Sequence, residues 1–232
     1  TDGLIMEPKD APGWFGKLSS LGDFASRRLP DEWIQACDAW LSQSIAASRQ
    51  QLAERWLEVY LSAPLWRFAW APGVIDREWW FGVLMASCDN VGRYYPLVIA
   101  QRRDRPPLDR VAFDHLELWW MHTAQAAMHT LADPSSLDTF EQTLQQAPPW
   151  PSAGAVMVPQ LRSAPGRERY AVAPGASLGQ VLHGFSVSEL HGKLAGSSLW
   201  WPLGEGSREG SVTVVPGLPP PSQFVDLLGG QW

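Results

Sequence analysis

The chain contains 232 residues, of which 45% are hydrophobic and 18% charged, and it carries 14 tryptophans. This composition excludes intrinsic disorder, and the length is sufficient for one large domain or for a domain with a smaller lobe. The net charge of −6 argues against general binding to nucleic acid or to acidic membrane surfaces. We therefore expect a protein or a small molecule as the partner.

The first part of the chain is predicted to contain one long helix followed by several strands. Apolar residues recur at helical spacing after Pro30, which predicts a helix over residues 31–52 with Asp31 as its cap. Apolar, β-rich runs predict three strands, at residues 67–70, 79–86 and 94–100. The second of these is apolar throughout, which indicates burial on both of its faces. Residues 89–92, Asp-Asn-Val-Gly, predict a hairpin loop between the last two strands.

Helices and strands alternate in the remainder of the chain. Helical spacing predicts a helix over residues 114–132, and Ser135 followed by Asp138 resembles a capping box at the start of a third, short helix. Further strands are predicted at residues 169–173, 198–201 and 211–215, and a further helix at 178–190. This order of elements predicts an α/β fold, in which a mixed central sheet is flanked by helices as an α/β/α sandwich.

The composition changes near residue 147. Residues 147–232 hold 11 of the 20 prolines and 13 of the 20 glycines, and the Pro-rich residues 147–152 cannot form a helix. We predict a first domain over residues 1–146, a connector over 147–152, and a smaller Gly/Pro-rich C-terminal α/β lobe over 153–232 that packs on the first domain.

The cysteine content and the hydropathy pattern indicate the cytoplasm. Cys37 and Cys88 are too few for a disulfide framework or a four-cysteine zinc site, which favours a reducing compartment. The longest apolar run, residues 79–86, is much shorter than the roughly 18 residues of a membrane span. Residues 1–10 lack the basic region and apolar core of a signal peptide. We expect a cytoplasmic protein without membrane insertion.

Two motifs that resemble functional loops lack the residues that their chemistry requires. Residues 175–179 match the G-x-S-x-G pattern of a serine nucleophile, but no acid followed by a well-spaced histidine lies downstream of Ser177. Residues 13–17, Gly-Trp-Phe-Gly-Lys, have too few residues between the glycines for a phosphate-binding P-loop. We therefore predict Ser177 as a helix N-cap and expect no catalytic residue.

Three histidines, His115, His122 and His129, recur every seven residues on the predicted helix over 114–132. Successive members are about 10 Å apart along a helix and cannot share a metal ion, so we expect no metal site. A half-buried contact face is the favoured interpretation. Because Trp119 lies among these histidines, the face would contact either the C-terminal lobe or a partner protein.

Charged residues form a dense polar group near the apolar strands. Its members are Lys17, Asp23, Arg27 and Arg28 in the N-terminal segment, and Ser87, Asp89, Asn90 and Arg93 between two strands. Because a buried unpaired charge is costly, one interpretation is internal pairing of Asp23 with Arg93 or of Asp89 with Arg27. The other is a pocket for a carboxylate or phosphate, bound by the cations and oriented by an aspartate.

A second basic cluster follows the strands. It contains Arg102, Arg103, Arg105 and Arg110, interleaved with acidic residues and a Pro-Pro turn. The cluster is either a solvated loop, which is the favoured interpretation, or a site for an anion or a partner.

Several short sequence blocks together form a pattern that is typical of one protein family. The blocks include Gly16-Lys17-Leu18, Gly22-Asp23-Phe24, Arg27-Arg28-Leu29-Pro30, Ala63 to Phe68, Gly82 to Met85, and the run Asp89 to Pro96 that contains Arg93 and Tyr94. Over residues 13 to about 100 their order and spacing resemble the TagF/ImpM family of bacterial type VI secretion accessory proteins. The resemblance implies an α/β sandwich and a cytoplasmic regulator that is not an enzyme. It also implies repression of type VI secretion after translation, through a forkhead-associated scaffold protein.

We therefore expect a binding protein without a cofactor. The residues expected to form a motif site are Lys17, Gly22, Asp23, Arg27, Ser87, Asp89, Arg93 and Tyr94. Trp119, His122 and Trp150 are expected to form a partner surface, because large exposed apolar side chains often mark contact sites. Two alternatives remain open: a sensor or enzyme that binds a small anion at the charged cluster, and a structural component of the secretion machine. Some members of the family carry a fused phosphatase domain, and we expect none in this chain, which ends at Trp232.

Overall fold

A computed structural model describes residues 11–104, 110–132, 135–150, 178–203 and 212–232, together with single residues at 165, 167, 170, 171 and 175. This part of the chain contains seven strands and six α-helices. The strands are β1 Gly13–Gly16, β2 Ala25–Arg27, β3 Leu65–Trp70, β4 Trp79–Met85, β5 Leu97–Arg103, β6 Ser197–Leu203 and β7 Thr213–Pro216. The helices are α1 Asp31–Leu52, α2 Trp56–Leu61, α3 Arg110–His129, α4 Leu137–Gln145, α5 Leu178–Leu194 and α6 Phe224–Leu228.

The strands form one sheet in the order β2-β1-β5-β4-β3-β6-β7. All six strand pairings are antiparallel, so the sheet is antiparallel rather than mixed. The predicted α/β class is confirmed, because this sheet is combined with helices. The predicted hairpin between β4 and β5 is also confirmed. Its turn is closed by the N–H of Gly92, which donates to the carbonyl of Asp89 at 3.1 Å. Gly92 has a φ of 79°, a left-handed conformation that glycine adopts without strain.

Helices cover both faces of this sheet, as the predicted sandwich requires. Successive side chains of β4 point to opposite faces, so Trp79 and Trp80 enter two different core clusters. On one face Trp80 packs against Trp33 of α1, with ring centroids 4.9 Å apart. On the other face Phe81 packs against Trp120 of α3 at 5.9 Å. The predicted burial of β4 on both sides is therefore confirmed.

The C-terminal part of the chain contributes strands to this same sheet. Strand β6 pairs with β3 over six residue pairs, from Leu65–Leu203 to Trp70–Ser198, and thereby covers an edge that β3 would otherwise expose. Two indole N–H groups bind the C-terminal segment: Trp40 donates to the carbonyl of Pro219 at 2.7 Å and Trp66 to that of Leu227 at 2.9 Å. Among the described residues the predicted C-terminal lobe thus has no sheet of its own. The boundary at 147–152 stays a prediction.

Most element boundaries agree with the sequence, with local differences. Helix α1 has the predicted bounds, but its N-cap is Pro30, and Asp31 is the first helical residue rather than the cap. The N-cap of α4 is Ser136, whose side chain accepts from the N–H of Thr139, so the predicted cap at Ser135 was wrong by one residue. Helix α3 begins four residues before the predicted start, and β5 lies three residues later than predicted. Ser177 and most of the predicted strand at 169–173 lie outside the described residues.

Candidate functional site

Two sequence blocks that are distant in the chain meet at one end of the sheet. Strand β1 lies beside β5 with Gly16 opposite Leu97, so the residues after β1 run next to the loop that joins β4 to β5. Hydrogen bonds join the two segments. Ser87 Oγ donates to the carbonyl of Lys17 at 2.8 Å, and the N–H of Asn90 donates to the carbonyl of Leu21 at 2.9 Å.

Asp89 is the centre of this junction, and its side chain is fully buried. Its Oδ2 accepts from Lys17 Nζ at 2.5 Å and from Arg93 Nε at 2.7 Å. Its Oδ1 accepts from the backbone N–H groups of Arg93 at 2.8 Å and of Val91 at 3.1 Å. A carboxylate has about four acceptor positions, and these four donors occupy them. Asp89 therefore ties the two segments together and has no acceptor position left for a ligand.

The charge state of Asp89 follows from these contacts. Burial by itself would raise the pKa of its carboxyl, because it disfavours the charged form. The hydrogen bonds from Lys17, from the backbone and side chain of Arg93, and from the Val91 N–H outweigh burial and hold the pKa far below its usual range. Asp89 is therefore ionised at neutral pH and neutralises the buried ammonium of Lys17, which is 4% exposed.

Helix α2 supports the loop that carries Asp89. The hydroxyl of Tyr60 donates to the carbonyl of Ser87 at 2.8 Å and accepts from the N–H of the same residue at 3.0 Å. Burial raises the pKa of Tyr60, so its hydroxyl keeps the proton that the first of these bonds requires. The ring of Tyr60 stacks on Trp56 with centroids 4.7 Å apart and contacts Tyr94 at 5.8 Å. Ser87 and Tyr94 thus have structural roles beside Asp89.

Both predicted ion pairs were wrong in their partners. Asp23 is exposed and accepts a hydrogen bond from the N–H of Phe24 at 2.8 Å. In the described part of the chain it forms no ion pair with Arg93. Arg27 lies 3.9 Å from Glu141 rather than near Asp89. Gly22 belongs to the site through its carbonyl, which accepts from a terminal nitrogen of Arg93. The predicted residues therefore divide between two carboxylates, Asp89 and Glu141.

Glu141 of α4 is a site residue that sequence reasoning missed. Its carboxylate accepts from Trp14 Nε1 at 2.5 Å and from Arg28 at 2.6 Å, and its side chain is 8% exposed. Burial raises its pKa, but the bonds from Arg28 and Trp14 outweigh burial, so the net pKa is lowered. A signal was present in the sequence, because Glu141 lies at helical spacing between Leu137 and Leu144 on the apolar side of α4. A carboxylate in that stripe indicates a buried cationic or N–H partner.

Three side chains above the junction face the solvent, and we call Phe24, Val91 and Arg93 the motif surface. Their exposed fractions are 47% and 67% for the first two, and 56% for the side chain of Arg93. Phe24 is nevertheless fixed, because its ring packs against Tyr95 with centroids 4.7 Å apart and lies 4.5 Å from Lys17 Nζ. Arg93 is held by Asp89. The motif surface is therefore an exposed aromatic, an aliphatic and a cationic group on a rigid support.

The predicted partner surface on α3 has a different environment. Trp119 is 1% exposed and donates to Gln101 Oε1 at 3.1 Å, so its expected exposure was wrong. The cause is the position of α3, which covers β4 and turns Trp119 into the core. His122 is half-buried, with Nε2 2.7 Å from the carbonyl of Thr143. Trp150 is half-buried between Phe81 and Trp119, with ring centroids 4.8 and 5.4 Å away. Through these contacts the three residues join β4 and β5 to α3, and α3 to α4.

The described residues contain no group of three or more side chains suited to a metal ion. None of the helices in the described ranges is long and apolar enough to cross a membrane. What the site offers is a fixed, chemically mixed surface above a saturated ion cluster. The comparisons with known proteins identify the family.

Residues 13–147 match the model of the TagF N-terminal domain, described as type VI secretion system-associated. The match spans more than half of the chain, so the chain belongs to the TagF family and is a type VI secretion system-associated protein. It is similar to the crystal structure of PA0076 from Pseudomonas aeruginosa PAO1, with 31% sequence identity and a TM-score of 0.74. The alignment covers 95% of this chain and 94% of that one. No functionally curated protein matches the sequence significantly.

Proposed function

We propose that this protein is a cytoplasmic repressor of type VI secretion, which acts after translation by binding a forkhead-associated scaffold protein of the apparatus. The observation that carries the proposal is the motif surface. The family blocks around Asp23 and Asp89 converge in space, and what they present to the solvent is Phe24, Val91 and Arg93. Aromatic and arginine side chains are enriched at the energetic centres of protein interfaces.

Binding without catalysis is the activity that this geometry supports. Two of the cations that would bind a small anion in the alternative hypothesis, Lys17 and Arg93, already contact the buried carboxylate of Asp89. The third, Arg27, lies 3.9 Å from Glu141. A ligand at that position would have to displace an ion pair whose carboxylate is fully enclosed. A partner protein needs no such displacement, because it would contact only the outer faces of Phe24, Val91 and the Arg93 guanidinium.

A matched pair of substitutions tests the proposed surface. Val91→Glu introduces a charge into the motif surface, whereas Val111→Glu introduces the same charge at a valine of similar exposure on α3, 64% against 67%. We expect Val91→Glu to abolish capture of the purified scaffold protein and to raise secretion in a repressed strain. Val111→Glu should retain both properties, and both variants should keep the wild-type thermal midpoint.

Two outcomes would contradict the proposal. Equal scaffold binding by wild type and Val91→Glu would show that the motif surface is not part of the interface. Unchanged secretion after deletion of the gene would remove the repressor function itself. Co-purification with the sheath or baseplate at a fixed stoichiometry would instead favour a structural component of the machine.

A further inference from the structure

A groove of about 430 Å³ lies beside the start of α1, where β1 begins and β5 ends. Its volume is in the range of pockets that bind small molecules. Three arginines line it, Arg28, Arg102 and Arg103, together with apolar residues that include Leu29 and Pro30. None of the described residues that line the groove is acidic. The groove therefore presents basic side chains on a chain whose net charge is −6, and one of them, Arg28, is paired with Glu141.

The three guanidinium groups differ in what they already contact. Arg28 donates to Glu141 at 2.6 Å and to the carbonyl of Pro12 at 3.0 Å, and Arg103 lies 4.6 Å from the ring centroid of Trp150. These contacts hold both side chains in place. Arg102 is exposed, and its side chain makes no hydrogen bond or ion pair with any described residue. Arg102 is therefore the guanidinium that can form a two-point contact with a ligand.

The composition of the groove selects among anions. A guanidinium group binds phosphate and carboxylate with two parallel hydrogen bonds, and a phosphate monoester offers more charge and more acceptor oxygens than a carboxylate. The volume exceeds what a phosphate ion needs, and Leu29 and Pro30 provide an apolar wall for the group that carries the phosphate. In the cluster around Asp89, by contrast, Lys17 and Arg93 already contact its carboxylate.

We propose that this groove binds a phosphate monoester, with Arg102 contacting the phosphate and with Leu29 and Pro30 packing against the group that carries it. The phosphate would be carried either by a small molecule or by a phosphorylated side chain of a peptide. The assignment goes beyond the proposed repressor function and does not depend on it, because the motif surface of Phe24, Val91 and Arg93 shares no residue with the groove.

Titration calorimetry at low salt tests the assignment on the full chain. The probes are adenosine 5′-monophosphate and a phosphothreonine peptide, each beside its unphosphorylated counterpart, and inorganic phosphate. We expect at least one monoester to bind in a phosphate-dependent manner, and the tighter of the two identifies the source. Arg102→Ala should weaken that binding about tenfold or more, because a hydrogen-bonded charge contact is lost.

The matched control is Arg55→Ala. Arg55 is an exposed arginine beyond the far end of α1, a 22-residue helix about 33 Å long. The substitution therefore removes the same charge without changing a residue of the groove. It should leave monoester binding unchanged. The assignment is overturned if no probe binds in a phosphate-dependent manner, if inorganic phosphate binds but neither monoester does, or if both variants weaken binding equally.

Discussion

The hydroxyl of Tyr60 fixes the loop that carries Asp89, and its removal gives a direct measure of that support. In a Tyr60→Phe variant the ring packing against Trp56 is kept, while two hydrogen bonds to Ser87 are lost. The Ser87 carbonyl still accepts from the N–H of Tyr95 at 3.1 Å. The Ser87 N–H, in a residue that is 3% exposed, is left without a partner.

The expected loss of stability follows from that single buried donor. A buried polar group without a partner costs about 1–3 kcal/mol in the free energy of unfolding. For a chain of this length each kcal/mol changes the thermal midpoint by about 2–4 °C, so Tyr60→Phe should lower the midpoint by roughly 2–12 °C. Circular dichroism during heating measures this shift, and hydrogen exchange should show faster exchange in the loop between β4 and β5.

Tyr94→Phe is the matched control for this experiment. Tyr94 belongs to the same aromatic group, but its hydroxyl makes no hydrogen bond with any described residue. Its loss should change the free energy of unfolding by less than about 0.5 kcal/mol. If both variants shift the midpoint equally, or if Tyr60→Phe leaves it unchanged, the inference that Tyr60 supports the loop is wrong.

Two further predictions concern the ion cluster and the sheet. Asp89→Asn should destabilise the protein at neutral pH, because the charge of buried Lys17 loses its counter-ion. The pKa of Asp89 is lower in the folded protein than in the unfolded chain, where it is about 3.9. The ionised side chain therefore stabilises the folded protein above that pH, and this stabilisation is lost on acidification. The difference in urea midpoint between wild type and Asp89→Asn should accordingly shrink below about pH 4. Gly82→Ala would bring a Cβ to 2.1 Å from the Ile99 carbonyl oxygen and should lower the free energy of unfolding by about 3 kcal/mol or more. The control is Gly192→Ala on α5, where a Cβ meets open space, and this change should raise the free energy of unfolding by about 0.5–1 kcal/mol. A Gly82→Ala protein as stable as the wild type would contradict the pairing of β4 with β5.

Local patterns predicted the elements whose stability is visible in their own sequence. Helix α1 has a proline at its start and buried residues at helical spacing, including Trp33, Cys37 and Leu41, so its bounds could be predicted. Strand β4 is a continuous apolar run. By contrast, β1 was not predicted, because it has only four residues and two are Gly13 and Gly16. Its strand conformation comes from pairing with β5, which is distant in the chain, and no local propensity indicates it.

Apart from Glu141, most residues of the candidate site could be predicted from the sequence, but the pairs that they form could not. The sequence indicates that charges beside apolar strands need partners, and Lys17, Asp89 and Arg93 do meet. Which carboxylate reaches which cation depends on the packing of α4 against the N-terminal segment. Glu141 and Arg28 are 113 positions apart, so no short-range spacing relates them.

The tryptophans belong mainly to the core on the two faces of the sheet. Eleven of the 14 are buried, and none of the remaining three, Trp150, Trp201 and Trp232, is fully exposed. The expected exposure of Trp119 was therefore wrong, because both faces of the sheet are already filled by these rings and by the helices that cover them. Exposed apolar side chains occur elsewhere, at Phe24 before β2 and at Leu118 and Met121 on the outer side of α3.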